Sequence, residues 1–151
     1  MTRPDASPEA RKAWIGLLAK APPASFAALL RQAGLKHQFT WLRQPEIGSV
    51  MVQGRMGGNG SAFNLGEITV TRCSLQLACG TVGHGYVQGR DKAKAERAAL
   101  CDALLQTDEA GRVTEEILTP LASEMAEAAR SRAAKSAATK VDFFTMVRGE
   151  D

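Results

Sequence analysis

Aromatic side chains are scarce in this 151-residue chain, where Phe, Trp and Tyr together make up 5% of the residues. Apolar residues as a group reach 44%, which is ordinary for a globular protein. The core therefore has to be built mainly from aliphatic residues and alanine, whose small side chains let neighbouring elements approach closely. A chain of this length fits one domain and buries roughly two thirds of its unfolded surface.

Cysteine is also sparse. The three cysteines, Cys73, Cys79 and Cys101, are odd in number and form no C-x-x-C pair. A disulfide framework is therefore not expected, which favours a reducing compartment. A zinc site made from Cys73, Cys79 and His84 would lack a fourth ligand, and the spacing matches no standard pattern. We expect thiols that serve the core and no bound metal.

Long apolar runs and a strong excess of charge are missing as well. No segment approaches the roughly 20 apolar residues that a membrane-spanning helix needs, and the first residues lack the apolar core of a signal peptide. The formal net charge is +3 and the basic residues are dispersed, which argues against a dedicated nucleic-acid binder. The sequence predicts a cytoplasmic protein without membrane or nucleic-acid partners, and a DNA-contacting regulatory module is disfavoured for the same reason.

Glycine is abundant between Trp41 and Arg90, which contain ten of the fourteen glycines. Within this stretch, residues 54–66 have too much glycine for regular structure and are predicted to form an extended loop. Its backbone N–H groups, with Arg55, could bind a phosphate. The loop lacks the Lys-Ser/Thr ending of a Walker motif and opens no helix, so a plain mobile loop is the alternative.

The hydrophobic periodicity predicts an α+β fold with an antiparallel sheet of about four strands. Two N-terminal helices cover the sheet, one helix backs it and a long helix forms a C-terminal arm. The predicted helices are 8–20, 24–34, 91–106 and 120–140, and the predicted strands are 37–41, 49–55, 67–77 and 82–88, with a turn at Pro45 between the first two. Ser7, Asp91 and Thr119 are predicted to cap the starts of three helices, and Gly34 to end the second helix. We expect a single domain, 1–151, made of a helical cover (about 1–36), the sheet with its backing helix (37–106) and the helical arm with an apolar tail (113–151).

Apolar positions change parity within the strand predicted at 67–77. They are even-numbered before Arg72 and odd-numbered after it. A strict period of two cannot bury both sets, so we predict a bulge or sharp bend near Arg72. Such a bend could bring Glu67 and Arg72 together as an ion pair, whereas a regular strand would place them on opposite faces.

Histidine at position 84 lies in the strand 82–88 between Gly83 and Gly85. Histidine titrates near neutrality, so His84 is a candidate for catalysis or ligand contact, together with Glu67. No Ser or Cys adjoins it as a nucleophile to be activated, and an ordinary strand histidine is the alternative. The alternating glycines leave room for a close neighbour on the other face of this strand.

The C-terminal region has two features of an interface. The predicted final helix offers almost nothing larger than alanine beyond Met125, including Ala129 and Ala133, so it cannot drive burial by its own area. The tail that follows it is unusually apolar for a chain end and contains Phe143, Phe144 and Met146. We expect these residues to contact another chain, although a solvent-facing alanine helix is the alternative.

Three separated motifs resemble those of one family, the small G subunit (PhnG) of the bacterial carbon-phosphorus lyase machinery. The motifs are 48–73, 82–95 and 141–149, with the closest agreement at Arg55-Met56-Gly57-Gly58, at Val87-Gln88-Gly89-Arg90-Asp91 and in the tail. They occur in the order of the family and span nearly the whole chain. The family pattern does not fix a histidine at position 84.

The resemblance implies a subunit of a core complex that degrades phosphonates. In that family the G, H and I subunits, aided by an ATP-binding-cassette-type L subunit, replace the adenine of MgATP with methylphosphonate. The product is α-D-ribose 1-methylphosphonate 5-triphosphate, and an iron-sulfur, radical S-adenosylmethionine J subunit later breaks the carbon-phosphorus bond. MgATP is thus a substrate of the complex, and no cofactor is expected on this chain.

The residues and the resemblance together lead to one hypothesis and one alternative. In the hypothesis, Arg55, Gly57, Gly58, Asn64 and Arg72 contact the triphosphate or phosphonate at a site shared between subunits, with Glu67 and His84 in support. The helical arm docks on the large I subunit, and the chain alone is inactive. In the alternative, the chain is a purely structural assembly subunit and none of its residues contacts substrate.

Overall fold

A computed structural model describes residues 7–141 of the chain. An antiparallel sheet packs against helices, which confirms the α+β class. A 3-10 turn, Met56–Gly58, follows the first strand, and a π-helical segment, Thr114–Leu118, joins the last two helices. The elements in chain order are α1 (Pro8–Lys20), α2 (Pro23–Gln32), β1 (Phe39–Arg55), β2 (Ala62–Leu77), β3 (Val82–Gln88), α3 (Lys92–Leu104), α4 (Ala110–Val113) and α5 (Thr119–Ala138).

The sheet has three strands in the order β1-β2-β3, rather than the predicted four or so. The two strands predicted on either side of Pro45 are one continuous strand, β1. The pairing of β1 with β2 shifts between Arg43 and Glu46, next to this proline. Proline is tolerated there because β1 lies at the edge of the sheet and the ladder is already interrupted by a bulge.

The bulge predicted in β2 near Arg72 is wrong. From Val70 to Gln76, β2 pairs with β3 without a shift, and the extra residues lie in β1 opposite this stretch. The change of apolar parity has another cause, since Cys73 faces α3 whereas Val70 lies on the opposite face of the strand. Both side chains are nevertheless buried, since Val70 and Cys73 are each 2% exposed.

Helix α3 packs directly on β2 and β3, and α1 and α2 pack beside it. The prediction of a close neighbour for β3 is confirmed, because a Cβ on Gly83 would lie 2.0 Å from the Ala99 carbonyl oxygen. A Cβ on Gly85 would lie 2.1 Å from the Ala95 carbonyl oxygen. The largest fully buried side chains lie between these layers and include Phe26, Leu18, Leu75, Leu104, Ile117 and Leu121.

Three predicted helix boundaries are confirmed by their geometry. The Ser7 hydroxyl accepts the Ala10 N–H at 3.2 Å, and the Asp91 carboxylate accepts the Lys94 N–H at 2.8 Å. Gly34, beyond the end of α2, has φ +62°. Glycine fits this left-handed position at the end of a helix without a steric penalty.

Beyond the part of β2 that pairs with β3, strands β1 and β2 continue as a two-stranded ribbon, the hairpin arm (residues 49–69). The prediction of an extended loop at 54–66 is wrong. Strand β1 runs to Arg55, strand β2 begins at Ala62, and Arg55 pairs with Ala62. Gly57 and Gly58 turn the chain at the tip with φ +60° and +82°. The arm exposes four large apolar side chains, Met51, Met56, Phe63 and Leu65.

The C-terminal helix starts earlier than predicted. Thr119 does not cap it, because α4, the π-helical segment and α5 form one helical run from Ala110. The Thr119 N–H bonds to the Thr114 oxygen, five residues back, immediately before Pro120. Proline lacks an N–H and crowds the carbonyl four residues earlier, and the widened turn accommodates it. After Leu121, α5 projects over about 25 Å with its side chains exposed apart from the half-buried Met125.

Within residues 7–141, no single helix is both long enough and apolar enough to cross a membrane. Helices α1 and α2 meet the length and composition criteria only when they are taken together, and they are bent by 112° at their junction.

Candidate functional site

The exposed face of the sheet carries a polar group of side chains, the sheet-face cluster (Glu46, Arg72, Ser74, His84 and Tyr86). Arg72 on β2 is paired with Glu46 on β1 and with Tyr86 on β3, and Ser74 is paired with His84. Directly paired residues share a face of the sheet, and diagonal neighbours lie about 7–8 Å apart. The sheet therefore brings two of the predicted site residues, Arg72 and His84, close together.

Arg72 is held by a carboxylate that the sequence did not indicate. Its Nε donates to Glu46 Oε1 at 2.9 Å, and the Nε of Arg43 lies 3.6 Å from the same oxygen. These side chains are about half exposed, so the pair contributes about 0–1 kcal/mol. Within residues 7–141, neither terminal nitrogen of Arg72 has a protein acceptor. Glu46 can therefore orient the guanidinium of Arg72 while the donors on its two terminal nitrogens remain available to an anion.

The His84 ring is oriented by its partner on β2. Its Nδ1 lies 2.9 Å from Ser74 Oγ, and the tautomer decides which of the two atoms donates. The backbone of His84 is anchored from the other side of the sheet, because its N–H donates to Asp102 Oδ2 at 2.9 Å. The imidazole is exposed and thus accessible to a ligand or a partner chain.

Asp102 is the centre of a buried polar network that the sequence did not indicate. The side chain is fully buried and accepts from Arg11 Nε at 3.1 Å, from Arg11 Nη2 at 2.7 Å and from Trp14 Nε1 at 2.8 Å. With the N–H of His84, four donors satisfy one carboxylate. An acid within the apolar run of α3 was the available signal, but its partners lie on α1 and β3, far away in sequence.

The tip of the hairpin arm holds the other predicted anion contacts. Arg55 Nη1 donates to the Gly60 oxygen at 3.2 Å, which closes the turn. Gly57 and Gly58 have open space where a side chain would be. Asn64 is exposed and paired with Gln53 on β1. The tip thus presents a guanidinium, an amide and glycine backbone to the surroundings.

The structure divides the predicted site into two parts. Asn64 lies eight positions from Arg72 along β2, which corresponds to about 26 Å of strand. Glu67 is paired with Met51 on the arm and lies on the opposite face of β2 from Arg72. A Glu67–Arg72 ion pair is therefore wrong, and Glu46 takes that place. Within one chain, Glu67 and the tip residues therefore cannot share one small ligand with Arg72.

The cysteines show two kinds of environment. Burial raises the pKa of the Cys73 thiol to about 11 and that of Cys101 to about 12, so both are neutral at physiological pH. Cys79 is exposed, and its sulfur lies 3.3 Å from the Thr81 hydroxyl, whose hydrogen bond to the thiolate lowers the pKa of the thiol. Among the residues that the structure describes, no three His, Cys, Asp or Glu side chains are grouped so as to hold a metal ion.

The predicted partner surface is only partly described. Ala129 and Ala133 are exposed on α5, and Met125 is half-buried beside α1. Phe143, Phe144 and Met146 lie outside the described residues, so their role stays a prediction. Exposure of α5 is compatible with a partner and also with a free alanine helix.

Two comparisons with known proteins agree with each other. The family model described as "Phosphonate metabolism protein PhnG" matches residues 9–149 of the chain. The chain is also 42% identical over 150 residues to the alpha-D-ribose 1-methylphosphonate 5-triphosphate synthase subunit PhnG of Rhizobium meliloti (strain 1021). That alignment covers 99% of this chain and 96% of the relative.

Proposed function

Because the chain belongs to the PhnG family of phosphonate metabolism proteins, we propose that it is a subunit of alpha-D-ribose 1-methylphosphonate 5-triphosphate synthase. The single observation that supports this most is the 42% identity over nearly the full length of both chains. No segment of the relative large enough to hold a separate function is unmatched. The chain acts within a multisubunit enzyme and is inactive alone.

The reaction requires an anion to be held beside the sugar of a nucleotide. Methylphosphonate displaces adenine from MgATP: a bond forms between a phosphonate oxygen and the anomeric carbon of the ribose, and the bond to the adenine nitrogen breaks. The proton that the methylphosphonate monoanion loses when its oxygen bonds to the ribose is taken up by the departing adenine. Substrate and cosubstrate are both anionic, so guanidinium groups and backbone N–H groups suit their binding and orientation.

The sheet-face cluster is the part of this chain best suited to that task. Arg72 combines a fixed orientation, given by Glu46, with unused donors on its terminal nitrogens. Tyr86 and His84 add polar groups on the same face. We assign Arg72 to contact the phosphonate or triphosphate at a subunit interface, with His84 in support. Arg55, Gly57, Gly58 and Asn64 at the arm tip form a second anion-contacting region, and Glu67 is kept as a candidate for a site completed by another chain.

The docking surfaces are the hairpin arm and α5. The arm exposes apolar side chains along a ribbon, and α5 exposes its alanine face beyond Leu121. Surfaces of this kind on a small chain favour burial against a larger partner. We propose that they dock on the large I subunit, and that the H, J and L subunits complete the MgATP-consuming assembly. The chain then acts as one unit, 1–151, in the cytoplasm.

The test is substitution of Arg72 in the reconstituted complex. Arg72→Ala is expected to leave assembly intact and to lower methylphosphonate-dependent adenine release at least tenfold, because a charge-assisted contact to substrate is lost. Arg31→Ala, which removes an exposed arginine on α2, is the matched control and should keep full activity. Normal assembly together with normal adenine release in Arg72→Ala would reject the substrate contact.

A purely structural assembly subunit is the second candidate function. It is favoured by the exposed apolar residues of the arm, which need a partner regardless of substrate. It predicts that substitutions at Arg72 and Arg55 act only by weakening the complex. Adenine release normalised to the amount of assembled complex separates the two functions.

A further inference from the structure

A cavity of about 560 Å³ lies next to the sheet-face cluster, between the end of α1, the start of α3 and strands β2 and β3. We call it the lysine pocket. Its principal walls are Lys20, Lys94, Tyr86, Gln88, Ile68 and Val70. Tyr86 is the β3 partner of Arg72, so the pocket opens beside the residue assigned to the phosphonate or triphosphate.

Lys94 is a buried charge that is only partly satisfied. The residue is 8% exposed, and its Nζ donates to the Ala19 oxygen at 2.7 Å. An ammonium has three donors, and within residues 7–141 the other two have no protein acceptor. The Asp91 carboxylate acts electrostatically on Lys94, and it accepts the backbone N–H of Lys94 at 2.8 Å. Burial lowers the pKa of the Lys94 ammonium, and an anion in the pocket would counteract that effect.

The other groups in the walls have complementary properties. Lys20 is exposed and supplies a second positive charge, while Tyr86 and Gln88 supply a hydroxyl and an amide. None of the described residues that line the pocket is a carboxylate. Ile68 and Val70 provide an apolar surface between these donors. The pocket therefore suits an anion that also carries a small apolar group.

We propose that the lysine pocket binds the tetrahedral oxyanion of an alkylphosphonate, with Lys94 and Lys20 on its oxygens and Ile68 and Val70 against its alkyl group. This assignment rests on the proposed function, which supplies the substrate class. Inorganic phosphate has the same tetrahedral oxyanion but no apolar group. The pocket thus prefers methylphosphonate by about fourfold, which corresponds to burial of one methyl group.

The experiment is a titration of the isolated full-length chain with methylphosphonate and, separately, with inorganic phosphate. Binding is followed by calorimetry and by the backbone amide resonances of Tyr86 and Gln88. Saturable binding with the tighter constant for methylphosphonate is the expected result. Equal constants for the two anions would overturn the assignment to phosphonate.

Two lysine variants and one control complete the test. Lys20→Met removes an exposed charge, so the chain should stay folded and bind methylphosphonate at least fivefold more weakly. Lys94→Met should abolish binding. Because this substitution also removes the hydrogen bond to the Ala19 oxygen, the Lys94 variant could fail to fold. In that case Lys20→Met still decides the test. Lys135→Met on α5 is the matched control and should bind like the wild-type chain.

The experiments distinguish a failure of the proposed function from a failure of the lysine pocket. A wild-type chain that assembles and supports adenine release, yet binds neither anion when isolated, rejects the lysine pocket alone. The pocket is also rejected if Lys20→Met binds as tightly as the wild-type chain, or if Lys135→Met weakens binding equally. A chain that does not assemble with the synthase subunits rejects the proposed function, and with it the reason for choosing a phosphonate.

Discussion

At the scale of single residues, the close contact between α3 and β3 depends on the absence of side chains at Gly83 and Gly85. These glycines let the backbone of α3 lie directly on β3, opposite Ala95, Ala99 and Ala103. The alanines recur every four residues and so form one face of the helix. The small side chains on both elements thus allow close contact between the helix and the sheet.

Gly83→Ala is expected to lower the free energy of unfolding by about 3 kcal/mol, because overpacking forces the backbone apart. The new Cβ would lie 2.0 Å from the Ala99 oxygen and 2.8 Å from the Ala103 nitrogen, and neither is a flexible side-chain end. Urea denaturation measures the loss. Gly16→Ala on α1 is the control: no atom lies within 4 Å of its Cβ, so it should be neutral or stabilising. Equal stability of the two variants would contradict this close packing.

Local residue chemistry was predictable, and partners distant in sequence were not. Ser7, Asp91 and Gly34 act at helix ends through groups within a few positions, and each was assigned correctly from the sequence. Arg72 and Asp102 take their partners from other elements, Glu46 and Arg11. A pattern along one strand or one helix carries no information about those partners.

At the scale of elements, the hairpin arm departs most from expectation. Abundant glycine at 54–66 indicated an irregular loop, but glycine only weakens a strand and does not prevent pairing. Pro45 indicated a turn because proline lacks the N–H that a strand ladder uses, but an edge strand with a bulge accommodates it. The helices were more predictable because periodicity and caps are local, whereas strand pairing depends on the neighbouring strand.

Leu65→Asp is expected to weaken binding of the chain to the rest of the synthase complex at least tenfold while leaving the free chain as stable as before. Leu65 is 67% exposed, so its removal costs little in the isolated fold, and a buried charge at an interface is costly. Binding is measured by titrating the chain into a complex assembled without it. Leu42→Asp is the control, since Leu42 is 56% exposed on β1 but outside the arm. Loss of binding in both variants, or in neither, would mean that the arm is not the specific docking element.

At the scale of the whole molecule, Asp102 joins parts of the fold that are far apart in sequence. Its carboxylate ties α1, through Arg11 and Trp14, to α3 and to the backbone of β3 at His84. Helix α1 is therefore fixed to the sheet that carries the candidate site. A network of this kind is valuable when complete and costly when one member is removed.

Asp102→Ala is expected to lower the free energy of unfolding by about 3 kcal/mol, because it leaves the Arg11 guanidinium and two N–H groups without their acceptor. The Arg11 side chain is 32% exposed, so water can solvate its guanidinium after the substitution. The expected loss of stability is therefore at the low end of the range for breaking a buried ion pair. Glu46→Ala, which removes the exposed partner of Arg72, should cost less than about 1 kcal/mol. Chemical denaturation of both variants gives the comparison, and similar losses would argue against a stabilising role of the buried network.

Membership of the family was predictable from three separated motifs, and the position of the site was not. The motifs include Arg55, Arg72 and His84, but the sequence does not show that the sheet separates the first from the other two. Lys94 carried no signal at all, because its burial depends on how α1 meets α3. Identity thus follows from sequence, while the arrangement of donors follows from the fold.

The arm also bears on the supply of this chain in a cell. A long ribbon with exposed apolar side chains and unpaired backbone groups on its outer edges is a template for further strands. In a cell, a surplus of the chain over its partner is therefore more exposed to slow self-association and to proteolysis than the assembled chain is. Balanced synthesis with the other subunits is therefore a requirement of the fold itself, since an orphan copy carries an exposed nucleus for misassembly.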